Sequence, residues 1–376
     1  MPDRAIDAQQ LASRLSFLIA GLGTGAWAPM VPYAKTRAGL DDGTLGLLLL
    51  CLGLGSIVAM PVAGALVTRL GCRRVTTPAV VCMILVLPLL AVLSDFTVLA
   101  LALLVFGVGV GTLDCAMNVQ AILIERAAGR PIMSGLHGLY SLGGILGAAG
   151  VSGILGLGTS PLAASLCAAA VLAVALLAAW PGMLTYGSAG GGPAFAIPRG
   201  PILLIGLLCF TVFLAEGAML DWSAVFLTTE RDLDPAWAGL GYAAFSLTMT
   251  ICRLTGDLIV TRVGRTRVIM LGALCAASGL AMAAILPATL VAVLGFALVG
   301  IGCANIVPVL FTAVGRQRLM PEGAAVAAVT TLGYAGVLIG PAGIGLLAHA
   351  TDLSAAFLLV AAMLVGVAAS ARSVRV

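Results

Sequence analysis

The chain has 376 residues, 61% of them hydrophobic and 9% charged, with a mean hydropathy of +1.17. A soluble globule carries about 25% charged residues, so water is excluded as the main solvent and most of the chain must face lipid or lipid-embedded helices. The net charge is +4, but the basic residues stand singly or in small clusters between apolar runs, which argues against a nucleic-acid surface and makes them topology signals.

The opening stretch MPDRAIDAQQLASR carries Asp3 and Asp7 and runs into a full-length apolar segment without a small-residue cleavage site. It reads as a cytoplasmic end and not as a signal peptide. A span needs about 20 apolar residues, and breaking the chain at charges, Pro and Gly clusters predicts twelve. The first six fall near 13–33, 44–67, 75–94, 97–123, 132–156 and 160–180. The second six fall near 201–226, 236–260, 268–286, 289–314, 324–348 and 353–371. Between them lies PGMLTYGSAGGGPAFAIPRG, whose Gly and Pro mark a linker. The expected organisation is an all-α membrane protein: an N-terminal six-helix bundle over 1–180, a cytoplasmic linker over 181–200 and a C-terminal six-helix bundle over 201–376. The 48 Gly and 17 Pro suit membrane helices, where small residues let backbones approach closely.

With the N-terminus placed in the cytoplasm, fifteen of the nineteen Lys and Arg residues fall inside; Lys35, Arg37 and Arg231 fall outside and Arg253 lies within a span. That bias places both termini on the cytoplasmic side, and an inner (plasma) membrane is the expected location. The halves also echo each other at a shift of 193 residues. Arg69 and Gly71 match Arg262 and Gly264, Gly107 and Gly109 match Gly300 and Gly302, and Gly143, Gly147 and Gly150 match Gly336, Gly340 and Gly343. Duplicated halves place a solute site at their interface near mid-membrane and let them rock about it.

Several chemistries are excluded. The nine Cys lie almost all in apolar segments without Cys-x-x-Cys spacing, and there are two His, His137 and His349, so no metal or haem set is expected. The single Lys is Lys35, preceded by Ala34, so there is no Gly-Lys-Ser/Thr phosphate loop and no nucleotide-driven pump of that type. No clustered nucleophile, base and metal ligands point to an enzyme, and no cofactor is called for.

The segment after the second span, Gly64, Thr68, Arg69, Gly71, Cys72, Arg73 and Arg74, resembles the signature loop of the major facilitator superfamily, Gly-x-x-x-Asp-Arg-x-Gly-Arg-Arg, with Thr68 at the usual Asp. Residues 111–144, GTLDCAMNVQAILIERAAGRPIMSGLHGLYSLGG, and 216–227, EGAMLDWSAVFL, are similar to its bacterial MosC/YbjJ-type branch. The resemblance covers essentially the whole chain and implies a secondary transporter working by alternating access. It implies a cytoplasmic gate at Arg69, Arg73 and Arg262. The missing Asp shifts weight to Glu125, Glu322 or helix ends.

Charges inside apolar spans default to functional hypotheses. Asp114 lies on the fourth span, with Asn118 and Glu125 continuing its stripe. An unpaired carboxyl there is costly to ionise and can load and release a proton during the cycle. His137, on the fifth span at a depth like that of Asn118, can form a cluster with Asp114 and Asn118 and serve as a relay. Glu216 on the seventh span suits a proton, or a substrate amine or hydroxyl. Arg253 and Asp257, at i and i+4 on the eighth, suit an intrahelical ion pair that latches the gate. Trp27, Tyr140, Tyr334 and Asn305, with Asn118 and Glu216, are candidate substrate contacts; Tyr242 is a further aromatic. The expected activity is proton-coupled movement of a small polar or amphipathic organic solute by a monomer, with sodium as the rival ion. Few fixed polar groups favour export; a sugar- or cyclitol-type importer, or a sensor that moves nothing, are the alternatives.

Overall fold

The computed structural model describes residues 2–187, 198–234 and 237–374. Residues 188–197 of the linker, residue 236 at the expected start of the eighth span and Arg375 lie outside that description. Among the described residues helix dominates, and eleven helices are long and apolar enough to cross a membrane: Ile6–Ala38, Thr44–Leu70, Cys72–Leu90, Phe96–Ala128, Met133–Gly156, Pro161–Gly182, Pro201–Thr229, Arg265–Ile285, Thr289–Val314, Glu322–Ala350 and Leu353–Ser370. Counted as one span, the bent pair Leu240–Leu254 and Gly256–Val263 brings the number to twelve and holds the eighth place in order. These twelve spans are numbered here in chain order.

Local sequence explains the ends. Asp41, Asp95, Ser160 and Asp352 cap helices by accepting from the backbone N–H of Thr44, Val98, Ala163 and Ala355, each cap being worth about 1 kcal/mol. Gly71 (φ 86°, ψ 161°) ends the second span and Gly264 (φ 88°, ψ 146°) ends the eighth. They are 193 positions apart, so the repeat in sequence is a repeat of backbone conformation that only Gly adopts without strain.

Packing divides the chain into two units. The first has the bounds Met1–Gly129, Leu139–Ile197 and Arg318–Ala328, and the second Arg130–Gly138, Pro198–Gln317 and Val329–Val376. Each unit thus includes one short segment from beyond the linker: 130–138 belongs to the second and 318–328 to the first.

Glycine crossings repeat inside the two units. A Cβ on Gly107 would overlap the carbonyl of Leu52, and one on Gly300 the carbonyl of Phe245, which is 193 residues further on. Gly109 faces the carbonyl of Ala79, and Gly302 that of Gly272, again in register. Gly143 meets the Leu18 carbonyl and Gly336 that of Phe210, with the partner one residue out of register. Without a hydrophobic force between helices in lipid, such close backbone approach is what holds neighbouring spans together.

Two of the basic residues that break the positive-inside pattern are structural. Arg37 donates to the carbonyls of Leu90 (2.8 Å) and Leu93 (2.9 Å) at the end of the third span. Arg231 donates to those of Ala283 (2.6 Å) and Ala284 (3.1 Å) at the end of the ninth. Leu90 and Ala283 are repeat-related, and both arginines satisfy C-terminal carbonyls that a helix leaves without partners.

The eighth span is not the continuous helix expected over 236–260. It breaks at Thr255 with a bend of 64°. The tenth is interrupted at Ala304 and Asn305. The cause there is Pro308, which has no N–H for the carbonyl four residues back, that of Ala304.

The start of the linker is anchored. Cys72 and Arg73 donate their N–H groups to the carbonyls of Tyr186 (3.2 Å) and Leu184 (2.8 Å). The Arg73 guanidinium donates to the carbonyls of Pro181 (3.0 Å) and Met183 and lies 4.6 Å from the Trp180 ring centre. Gln120 accepts from the N–H of Leu184 (3.1 Å) and donates to the Ser13 hydroxyl (3.1 Å), tying the first and fourth spans to the same stretch.

Candidate functional site

In the first unit, Asp114 sits on the unbroken fourth span. Its backbone carbonyl accepts from Asn118 Nδ2 at 2.9 Å, while among the described residues its carboxylate has no hydrogen-bond or ion-pair partner. It is closely surrounded by protein yet keeps accessible surface. An unpaired carboxylate in such a setting cannot hold its charge cheaply, so the arrangement suits a group that exchanges a proton or receives a donor. Asn118 is buried, and its Oδ1 has no partner among the described residues. Trp27 is buried as well, with Nε1 unpartnered. These atoms offer an acceptor and a donor within the same unit.

The loop that carries the family signature is held by packing in place of a charge. Thr68 donates to the Gly64 carbonyl at 3.0 Å, and its hydroxyl lies where a Cβ on Gly323 would be. Gly64 and Gly323 each face the other's carbonyl. Beside them Arg126 donates to Glu322 at 2.9 Å. Glu125 is buried. Arg69 and Arg262 are exposed, and Arg73 holds the start of the linker as described above.

In the second unit, Arg253 is buried, with side-chain exposure of 7% against 18% for Glu216, and the two form an ion pair at 2.9 Å. Arg253 Nε also donates to the Ala304 carbonyl at 3.2 Å, the one that Pro308 leaves unbonded. Asn305 Nδ2 donates to the Cys252 carbonyl at 3.1 Å, so each broken span supplies a side chain to the other's break. Asn305 Oδ1 is buried without a partner, against Gly256, where a Cβ would overlap it.

The helix expected to run continuously through Arg253 and Asp257 breaks between them, at Thr255. Past the bend, Asp257 Oδ1 and Oδ2 accept from the backbone N–H of Ser134 and Gly135, both at 3.0 Å. These are first-turn amides of the helix Met133–Gly156, which has no internal acceptor for them, and a carboxylate is the favourable charge at that end. Gly135 leaves the room, since a Cβ there would overlap the carboxylate. No side-chain pattern announces a backbone partner, which is why sequence reading could not pair Asp257 with residues 134 and 135.

His137 belongs to the second unit, whereas Asp114 and Asn118 belong to the first. Its Nδ1 lies 3.0 Å from the Met133 carbonyl and its ring stands 5.8 Å from that of Phe311. A carbonyl only accepts, so Nδ1 is the donor in this contact. Tyr334 meets Phe213 edge to face at 6.3 Å, one turn before Glu216 on the seventh span. Tyr242 hydrogen-bonds Ser246 within electrostatic reach of Glu216. Tyr140 is half-buried in the first unit.

Comparison with known proteins agrees with this architecture. The family profile described as Major Facilitator Superfamily matches residues 15–318. An uncharacterized MFS-type transporter of Yersinia pestis is 52% identical over 97% of this chain and 96% of its own. Membrane protein MosC of Rhizobium meliloti is 30% identical over 96% of this chain and 89% of its own. Among solved structures, the Escherichia coli fucose:proton symporter FucP superposes with a TM-score of 0.78 at 17% identity, covering 98% of each chain. The proton:xylose symporter XylE superposes with a TM-score of 0.75 at 15% identity, covering 99% of this chain and 96% of its own. A two-bundle helical fold of twelve spans, with a full-length sequence match to transporters, is decisive: the chain belongs to the Major Facilitator Superfamily and is a multi-pass membrane transporter, not an enzyme.

Proposed function

We propose that this transporter is a proton-coupled carrier of a small polar or amphipathic organic solute, working as a monomer in a bacterial inner membrane with both termini in the cytoplasm and exporting its substrate. The observation that carries the reading is Asp114: a carboxylate in an apolar span with accessible surface and no partner among the described residues. Such a group is retained against its desolvation cost when it acts in the cycle. Glu216 takes the substrate role, because Arg253 already neutralises it and a substrate donor has a charge to compete for. His137 is the candidate relay, and Asp257, Arg126 and Glu322 hold the cytoplasmic ends. Export is favoured by the apolar surroundings of these few groups.

The test begins with a thermal-shift screen of purified protein against sugars, cyclitols, amines and dyes at two pH values, since a ligand of the folded state stabilises it. Solutes that shift the transition then go into proteoliposomes with a proton gradient imposed in the absence of sodium. Gradient-driven flux is expected, and Asp114→Asn is expected to abolish uphill accumulation while leaving exchange down a gradient. Accumulation that survives in D114N, or that needs sodium, would overturn the assignment; absence of any solute flux would support a sensor.

Uptake of a sugar or cyclitol is the second reading. Its support is the pair of buried, unpartnered amide oxygens on Asn118 and Asn305, which suit hydroxyl donors. Flux that runs inward with the proton gradient decides for it.

A further inference from the structure

We propose that Arg253 is a positioning residue that transmits the state of the Glu216 carboxylate to the Asp257 clasp on residues 134 and 135. The inference goes beyond the proposed function, because it holds whichever solute or ion reaches Glu216.

Arg253 stands two residues before the break in the eighth span, and its guanidinium is shared. One nitrogen pairs with Glu216 at 2.9 Å and Nε holds the Ala304 carbonyl at 3.2 Å. Asn305 returns the contact at 3.1 Å to the Cys252 carbonyl. Two interrupted spans are therefore braced against each other around one buried cation whose counterion comes from a third. The 64° bend at this brace is what aims Asp257, four residues on, at the free N–H groups of Ser134 and Gly135.

Glu216 is the more accessible pole of the pair, 18% against 7%, so an incoming donor meets the carboxylate first. Taking that carboxylate removes the Glu216 counterion from a buried guanidinium, which is unfavourable. Arg253 must then reorient, and the contact to Ala304 that fixes the bend goes with it. Asp257 loses its aim, and the first turn of the helix Met133–Gly156 loses its cap. A local event at Glu216 becomes a change at a distant helix end because the braced break has two arrangements that Glu216 biases.

The test reads amide hydrogen exchange at residues 133–138 of the full chain in nanodiscs, with neither solute nor gradient, so its failure is separate from failure of the coupling assignment. Asp257→Asn should speed exchange there by about tenfold or more, the worth of a charge-assisted hydrogen bond. Glu216→Gln should do the same although Glu216 bonds neither residue. Pro308→Ala gives the Ala304 carbonyl a backbone donor and should also speed exchange at 133–138 by drawing that carbonyl from Arg253. Asp221→Asn, at an exposed position on the seventh span, should leave it unchanged. Unchanged protection at 133–138 in D257N, or in folded E216Q, overturns the relay. Should E216Q not fold, P308A decides: unchanged protection in it overturns the relay and faster exchange supports it.

Discussion

The second and eighth spans hold the same place in the repeat, yet one is a continuous helix over Thr44–Leu70 and the other breaks at Thr255. The fourth and tenth differ likewise: Phe96–Ala128 is unbroken, while Thr289–Val314 is interrupted at Ala304 and Asn305. The glycine crossings that position these helices are shared by both halves; the broken backbone with its ion pair belongs to the second. Duplication supplied one scaffold, and the halves then diverged: an unpaired carboxylate on a rigid helix in the first, a paired charge at a hinge in the second.

The sharpest way to break this contrast is Arg253→Ala. It leaves Glu216 without its cation and the Ala304 carbonyl without a donor, and should cost about 3–5 kcal/mol, read as a large fall in the thermal midpoint. Asp114→Asn, which removes a charge with no partner among the described residues, should not destabilise and is the matched control; an equal loss in both would erase the distinction between the halves.

A subtler comparison uses Gly256 and its repeat counterpart, Ala63, which is buried. Gly256→Ala should cost about 1–3 kcal/mol by overpacking, because a Cβ would run into Asn305 and Ser134. Ala63→Gly should cost about 1 kcal/mol from helix propensity, through a different mechanism. With the sites in different units, denaturation of the double variant should show additive losses.

The smallest effects concern what the halves share. Arg37→Ala and Arg231→Ala should each lower stability by about 1 kcal/mol through loss of hydrogen bonds to helix-end carbonyls. Arg231 should cost more, because its guanidinium also stands 4.6 Å from the Phe226 ring centre. A thermal-shift comparison of the two variants measures the difference.

Much of the fold was legible because lipid demands it. Runs of apolar residues broken at charges, Pro and Gly clusters mark the spans, and glycines 193 apart mark the duplication. Asp114 was legible as a lone carboxylate in an apolar run. In the second half the uniform 3.6-residue period does not carry through Thr255, and Gly256 and Pro308 are the residues in the sequence that signal breaks. Arg37 and Arg231 looked like exceptions to a charge rule, since a sequence does not show that a helix end 52 or 53 residues away needs a donor. The anchoring of the start of the linker is not legible for the same reason: Arg73 and Gln120 act on its backbone, which carries no side-chain code.

The exchange of short segments between the packing units bears on how this polypeptide is made. Residues 318–328 complete the first unit but are synthesised near the end of the chain, and residues 130–138 complete the second but emerge early. Neither unit can finish closing until almost the whole chain has left the ribosome. A polypeptide cut between Gly187 and Pro198 would yield two fragments, each lacking a piece of its own packing and carrying a piece of the other's, so co-expression is expected to rescue both where separate expression leaves each to degradation.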